Sequence, residues 1–322
     1  MLKFVLRRLL VTLPMLILMC LLTFITMQKT VGSYYDLLRM DPLISPETID
    51  RYVHLYQLDR PLFWQFFSWL KNIAHFEFGY SFYYNIPVAK VIAGRVANTF
   101  ILSLASLVLT WGVAIPLGIW AALRRNQLVD RFIQLCSYAA LSAPGFLVAI
   151  LMLYVASRTG ILPLGGMHSA NYDELNLLGR ILDVLRHLVI PATALSLASV
   201  GSLQKIMRSN MLDTLRQQYI LTARAKGLPE HRIIYVHALR NAINPLITLL
   251  GYEFAGLLSG AAILETLCGW PGLGALMLKA VMTKDIYLVM ASLLMGGFLL
   301  IVGNLIADIF LARLDPRIRY EK

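Results

Sequence analysis

These 322 residues contain no GxxxxGK[ST] phosphate loop, no HExxH or comparable metal-ligand spacing, and no paired cysteine pattern. The first absence excludes ATP binding by that loop, so any ATP-driven step needs its nucleotide and Mg2+ in another subunit. The second leaves His54, His75, His168, His187, His231 and His237 without a metal-binding arrangement. The third leaves Cys20, Cys136 and Cys268 with no disulfide or metal partner readable from spacing. Charge is scarce as well: 15% of residues are charged, and the 18 acids are outnumbered by 29 Lys and Arg.

Apolar side chain is abundant instead, at 58% of residues with a mean hydropathy of +0.67. It comes in blocks and not in an amphipathic pattern, so the chain reads as an all-α integral membrane protein and not as a soluble core. Six blocks, at about 9–28, 99–123, 132–157, 188–206, 242–264 and 286–311, each approach the ~20 residues that a helix needs to cross hydrocarbon. The fourth carries Pro191 near its start and Lys205 near its end. Lys3, Arg7 and Arg8 precede the first block, as in a secretory signal, but the run is long and Gln28-Lys29-Thr30-Val31 offers no small-x-small cleavage site. A retained signal anchor is expected.

Orientation follows from the positive residues. Lys3, Arg7 and Arg8, then Arg124, Arg125 and Arg131, then a basic run from Lys205 to Arg240, then Arg313, Arg317, Arg319 and Lys322 fall on one side. The opposite short loops hold Arg158, Arg180, Arg186, Lys279 and Lys284, balanced by Asp173, Glu174, Asp183, Glu265 and Asp285. Both termini are therefore expected in the cytoplasm. The 29–98 segment is too long for that rule, with nearly cancelling charges, and is expected to form an external subdomain. The division is thus 1–28 as the first membrane helix, 29–98 outside, 99–311 as a five-helix core containing a cytoplasmic loop at about 205–241, and 312–322 as a cytoplasmic tail.

The basic run is the most informative stretch. Lys205, Arg208, Arg216, Arg224, Lys226, Arg232 and Arg240 face only Asp213 and Glu230. At the centre of a bilayer each such charge costs about 2.5–3.5 kcal/mol on an insertion scale, so the run belongs in water. Gln217–Lys226 is rich in helix formers; Gly227 then offers a left-handed cap, and Pro229 a restart at the first turn of the next helix. Ala223 and Ala225 keep the first helix slim enough to enter a groove, and Tyr219, Thr222 and Lys226 share one side at helical spacing. Two readings of that helix stay open on composition: docking into a partner, or lying on anionic headgroups. His231 and His237 belong to the same solvated or partner-facing surface.

At membrane depth the acids are Glu253 and Asp308, which face a protein interior or a wet cavity in such settings, Glu253 being the candidate for a transport path. Gly256 and Gly260 form a GxxxG that predicts close helix contact. Ala143-Pro144-Gly145 predicts a kink, and Pro116 a second bend, serving as hinges or as packing features. Gly269-Trp270-Pro271-Gly272-Leu273-Gly274 has closely spaced glycines but follows no strand, so it is not a dinucleotide site.

The segment YILTARAKGLPEHRIIYVHALRNAINP, Tyr219–Pro245, resembles the cytoplasmic signature of ATP-binding cassette (ABC) importer permeases of the dipeptide and oligopeptide class. LKFVLRRLLVTLPMLILMCLLTF, YQLDRPLFWQFFSWLKNIAHFEFGYSF, HLVIPATALSLA, AAILETLCGWPGLG and the terminal DPRIRY resemble further pieces of that family, in the family's order. The resemblance implies a type I importer permease (MetI-like) fold of six membrane helices, with no catalysis and no cofactor of its own. It implies as partners a second homologous permease, two ATPase subunits holding ATP and Mg2+, an external substrate-binding protein and the lipid bilayer, with no nucleic acid, in a bacterial inner membrane. It assigns the coupling helix, the part that docks the ATPase, to Leu221–Gly227 (Leu221, Thr222, Ala223, Arg224, Ala225, Lys226 and Gly227) with flanking Gln218, Tyr219 and Ile220. It places Trp270, Pro271, Gly272 and Gly274 at the external end of the pathway, as an external gate or as a contact for the binding protein.

Three departures stand out. Leu221 occupies the position of a glutamate common in the wider superfamily, TVGSYYD replaces a proline-glycine turn, and His75-Phe76-Glu77-Phe78-Gly79 stands where relatives commonly read HGDFG. Peptides of a few residues are the expected cargo, with nickel, glutathione, sugars or peptide-like antibiotics as alternatives. An ion-driven secondary transporter working through Glu253, or a membrane enzyme, fits the basic loop poorly, and no catalytic cluster at membrane depth is readable.

Overall fold

The computed structural model describes residues 2–29, 47, 53–54 and 59–314, and these are mostly helical. In chain order the helices are α1 (Leu2–Lys29), α2 (Leu62–Ile73), α3 (Val88–Ile92), α4 (Arg95–Leu123), α5 (Leu128–Ser142), α6 (Gly145–Thr159), α7 (Leu177–Leu215), α8 (Gln218–Ala225), α9 (Glu230–Arg232), a π-helix at Ile233–Ala238, α10 (Leu239–Ala242), α11 (Asn244–Leu267), α12 (Leu273–Met282) and α13 (Ile286–Leu314). The tail beyond Leu314, including Arg317 and Arg319, the surroundings of Gly260 and the side chain of Asp308 lie outside what is described, as does the TVGSYYD departure.

The spans at Thr12–Lys29, Val88–Leu123, Leu177–Leu215 and Ile286–Leu305 are long and apolar enough to cross a membrane; two bent pairs bring the total to six. The third predicted block is one of those pairs. Ala143 turns extended and Pro144 opens α6, so α5 and α6 meet at 102°. Proline removes a backbone donor and disfavours the helical conformation of the residue before it; here Ala143 leaves the helical region altogether, and the expected kink is a full break. The fifth block begins with a milder 51° bend between Glu230–Ala242 and Asn244–Leu258. Pro116 and Pro191, by contrast, lie inside continuous helices.

The fourth block is much longer than its apolar run. α7 has 39 residues, about 58 Å at 1.5 Å per residue, against roughly 30 Å of hydrocarbon. It carries Lys205 and Arg208 along with it, so the stretch expected as the start of a loop, 205–215, is the end of this helix.

The chain forms two compact units, Met1–Thr99 with Pro271–Ile301, and Phe100–Trp270 with Val302–Lys322. In the first unit Cys20 and Phe24 of α1, Phe66 and Trp69 of α2, Phe82, and Ile286 and Met290 of α13 form one buried cluster. Asp285 secures it. This fully buried carboxylate accepts hydrogen bonds from Ser81 Oγ at 2.5 Å, Tyr83 N at 3.1 Å and Leu288 N at 3.2 Å, capping α13 and holding the 81–83 loop. Burial outweighs these bonds and raises its pKa above the ordinary carboxylate value.

In the second unit α7 is the central post. It packs against α5, α6 and α11. The contacts rest on glycines: a Cβ on Gly118 would lie 2.6 Å from Met207 and one on Gly201 2.7 Å from the Ser137 carbonyl oxygen, neither of them marked by the sequence pattern, and one on Gly145, marked there as part of a kink, 2.9 Å from the carbonyl oxygen of Ala194. Gly256, the described half of the predicted GxxxG, has open space at that position, so the expected close contact is not made there. Arg208 of α7 binds the buried Asp130 of α5 through two hydrogen bonds, Nε to Oδ1 at 2.7 Å and Nη2 to Oδ2 at 2.6 Å. Asp130 also accepts from Asn126 N, tying the turn before α5 to the same pair.

Candidate coupling site

The basic segment folds as helix, turn, helix. α8 begins after extended Gln217 and ends at Lys226. Gly227 takes φ +75°, its N–H donates to Arg224 O at 2.9 Å, and Leu228 N donates to Ala223 O at 3.3 Å. This is a Schellman turn, which satisfies two carbonyls at the helix end and brings the next side chain back toward the helix. Leu228 and Ala223 accordingly pack on one buried cluster. Pro229 caps α9 from just outside its first turn, one position earlier than expected, and its carbonyl accepts from Arg232 N and Ile233 N. Arg224 and Glu230 bridge the turn through Nη2–Oε1 at 2.6 Å and Nε–Oε2 at 3.3 Å. Both side chains are about half exposed, at 43% and 54%, so the pair is worth at most about 1 kcal/mol and serves to set geometry.

One side chain anchors α8. Ile220 is fully buried among Ala114, Ile119 and Ala122 of α4, Leu203, Met207 and Met211 of α7, Ile233, Ile234 and Ala238 of the π-helix, and Leu246 of α11. Full burial of such a side chain contributes about 1.5–3 kcal/mol. Ala223 is half-buried beside it. Gln218, Tyr219, Leu221, Thr222, Arg224, Ala225, Lys226 and Gly227 are all exposed. The ten sequence-marked residues thus divide into two that hold the helix and eight that present a surface. Asn241 Nδ2 donates to the Tyr219 hydroxyl at 3.0 Å and steadies one edge of it. Leu221 is 48% exposed, so the departure from glutamate gives this surface an apolar residue.

The π-helix was not readable from the sequence. It packs against α8, buries Ile233 and Ile234, and turns Tyr235 and Val236 outward at 58% and 52% exposure. A π-turn widens a helix by one residue and is concentrated at functional sites. His237 is half-buried, and its Nε2 is buried with no hydrogen-bond partner among the described residues. His231 is exposed as expected.

The remaining candidates lie elsewhere. Glu253 is half-buried on α11, between Tyr252, which is exposed, and Phe254, which is buried with its ring 5.7 Å from that of Phe100. Trp270 is fully buried with Leu102, Leu188, Ala192 and Ala261 in the second unit. α11 ends there in a second Schellman turn, with Gly269 at φ +61° and Trp270 N donating to Glu265 O at 2.8 Å. In the first unit Pro271 O accepts from Asn98 Nδ2 at 2.8 Å, Gly272 caps α12, Leu273 N donates to Thr99 Oγ1 at 2.7 Å, and Gly274 lies in the first turn of α12. The glycine-rich turn is a bound junction and not a free loop.

Two family models together match nearly the whole chain. The one described as binding-protein-dependent transport system inner membrane component matches residues 114–320, and its N-terminal companion matches residues 1–105. The chain is 37% identical over 319 residues to the oligopeptide transport system permease protein AppB of Bacillus subtilis, covering 98% of this chain and 99% of that one. It is 34% identical over 322 residues to the oligopeptide transport system permease protein OppB of Salmonella typhimurium, covering 99% and 100%. With its membrane-length helices and this coverage from end to end, the chain belongs to the family of inner membrane components of binding-protein-dependent transport systems.

Proposed function

We propose that the chain is the permease subunit of an ATP-driven peptide importer, with both termini in the cytoplasm, and that α8 is its coupling helix. The observation that carries this reading is the division of α8 into one deeply buried anchor and a surface of eight exposed residues. A helix held so contributes its outer face to something else, and its anchor passes any displacement to α4, α7, α11 and the π-helix. The peptide relatives support the cargo class. In this reading a second permease completes the path, two ATPases bind ATP and Mg2+ and receive the α8 of each permease, and an external binding protein delivers the peptide. ATPase closure moves Leu221–Gly227 and rocks the membrane helices from inward-open to outward-open. Glu253, a half-buried acid in an apolar helix, lines the path, and the Trp270–Gly274 turn stands at its outer end.

Affinity purification of the tagged chain in mild detergent, with an ATPase assay on the recovered complex, tests it. Recovery of a second permease and two ATPases, with hydrolysis stimulated by peptide-loaded binding protein, is expected. Leu221→Asp changes only the exposed face, so it should leave membrane insertion intact while stimulated hydrolysis falls to the basal rate. A lone chain that moves peptide in vesicles without ATP would overturn the importer; full stimulation in Leu221→Asp would overturn the role of α8.

A further inference from the structure

We propose that α2 is an interfacial helix, with Phe63, Trp64 and Phe67 seated in the headgroup region of the leaflet at the Lys29 end of α1. The helix reads LFWQFFSWLKNI and has aromatic side chains on two faces. One face is accounted for: Gln65, Phe66 and Trp69 are buried, Phe66 lies 5.7 Å from Phe24 of α1 ring to ring, and Gln28 Nε2 donates to Gln65 Oε1 at 3.3 Å. The other face is not. Phe63, Trp64 and Phe67 are 67%, 65% and 47% exposed, and the rings of Phe63 and Phe67 sit 4.5 Å apart, forming a continuous apolar surface.

The position of that surface along α1 names its occupant. α1 crosses the membrane over Thr12–Lys29, and Leu13, Met15, Leu18, Met19 and Leu22 are half or more exposed, which makes them its lipid-facing side. Phe24, where α2 docks, stands five residues before Lys29, a rise of about 7.5 Å. Amphipathic interfacial helices bury their apolar face about 5–10 Å into the headgroup and acyl boundary, so α2 is fixed to α1 at that depth. Tryptophan and its aromatic neighbours favour this layer, where an apolar ring and a polar edge are both accommodated. Lys71, exposed in the last turn, extends its ammonium toward phosphate from the same level.

Tryptophan quenching tests the assignment on the full transporter complex in nanodiscs. The chain has five tryptophans, and the difference between wild type and Trp64→Phe isolates the emission of Trp64. Lipids brominated near the headgroup should at least halve that component, whereas lipids brominated at the chain ends leave it nearly unchanged. Quenching by acrylamide but by neither lipid would place Trp64 in water and overturn the proposal. Resistance to all three would show a protein partner on this face, and would overturn it as well.

Discussion

Both units end helices with the same turn but build it from different residues. In the second unit the left-handed position is glycine, Gly227 after α8 and Gly269 after α11. In the first unit it is Phe76 after α2, at φ +62°, and Lys284 after α12, at φ +55°. The hydrogen bonds match: Phe76 N to Ile73 O and Glu77 N to Asn72 O, then Lys284 N to Val281 O and Asp285 N to Ala280 O. A left-handed conformation costs a residue with Cβ about 1–2 kcal/mol, so the turns at Phe76 and Lys284 hold strain that those at Gly227 and Gly269 avoid. The residue just past the turn also differs. Leu228 is half-buried and leaves α8 facing outward, whereas Trp270 and Asp285 are fully buried and lock their helices in place. At these three turns one backbone device serves a presented helix and two fixed ones; after α2 the following residue, Glu77, is exposed, and the helix is held instead by its own buried Phe66 and Trp69.

The sharpest way to break this comparison is at Trp270. Trp270→Ala should destabilise the protein by about 3–5 kcal/mol, read as a drop in melting temperature in detergent, with uptake lost in proportion to folded protein. Gly269→Ala comes next, at about 1–2 kcal/mol from its left-handed backbone, with an added cost because the new Cβ meets Gly166 N at 3.2 Å. Gly227→Ala has open space around it and incurs only the backbone cost; its peptide-stimulated ATPase activity should fall by more than its stability explains. An equal loss in both assays would remove the distinction between presented and fixed turns.

The first unit should respond with the opposite sign. Phe76→Gly and Lys284→Gly each relieve left-handed strain of about 1–2 kcal/mol and give back about 0.4–1 kcal/mol through a more flexible unfolded chain, for a small net stabilisation. Lower melting temperatures in both would show that no strain is stored there. The smallest effect is conditional on pH. Because the pKa of Asp285 is raised, folding takes up a proton above the ordinary carboxylate value of about 3.9. Its stabilising contribution is complete below that value and declines as pH rises through the folded pKa. Melting temperature should carry this slope in wild type and lack it in Asp285→Asn.

Much of this was legible from local chemistry. Apolar runs located the membrane helices, Ala143-Pro144-Gly145 gave the break between α5 and α6, and Gly227-Leu228-Pro229 gave the turn of the candidate site. The Leu221–Gly227 surface follows from that turn, but its anchor does not: Ile220 is distinguished from its neighbours only by what other helices bring to it. The left-handed turns at Phe76 and Lys284 carry no residue signal. The π-helix adds one residue to a turn and leaves periodicity almost untouched. Close approach at Gly118, Gly145 and Gly201 is a property of helix pairs, which is why a spacing rule pointed to Gly256 instead. Pro191 and Lys205 suggested limits to α7 that its packing overrides.

That last helix has a mechanical consequence. A rod of about 58 Å that tilts by about 5° moves one end by about 5 Å relative to the other, the height of a full helical turn. One end of α7 meets Ile220 and the Asp130–Arg208 pair; near the other end Asp183 accepts hydrogen bonds from Ser169 N and Oγ. In the coupling proposed above, a tilt of that size driven from α8 would reach the Ser169 end as a displacement of about one helical turn.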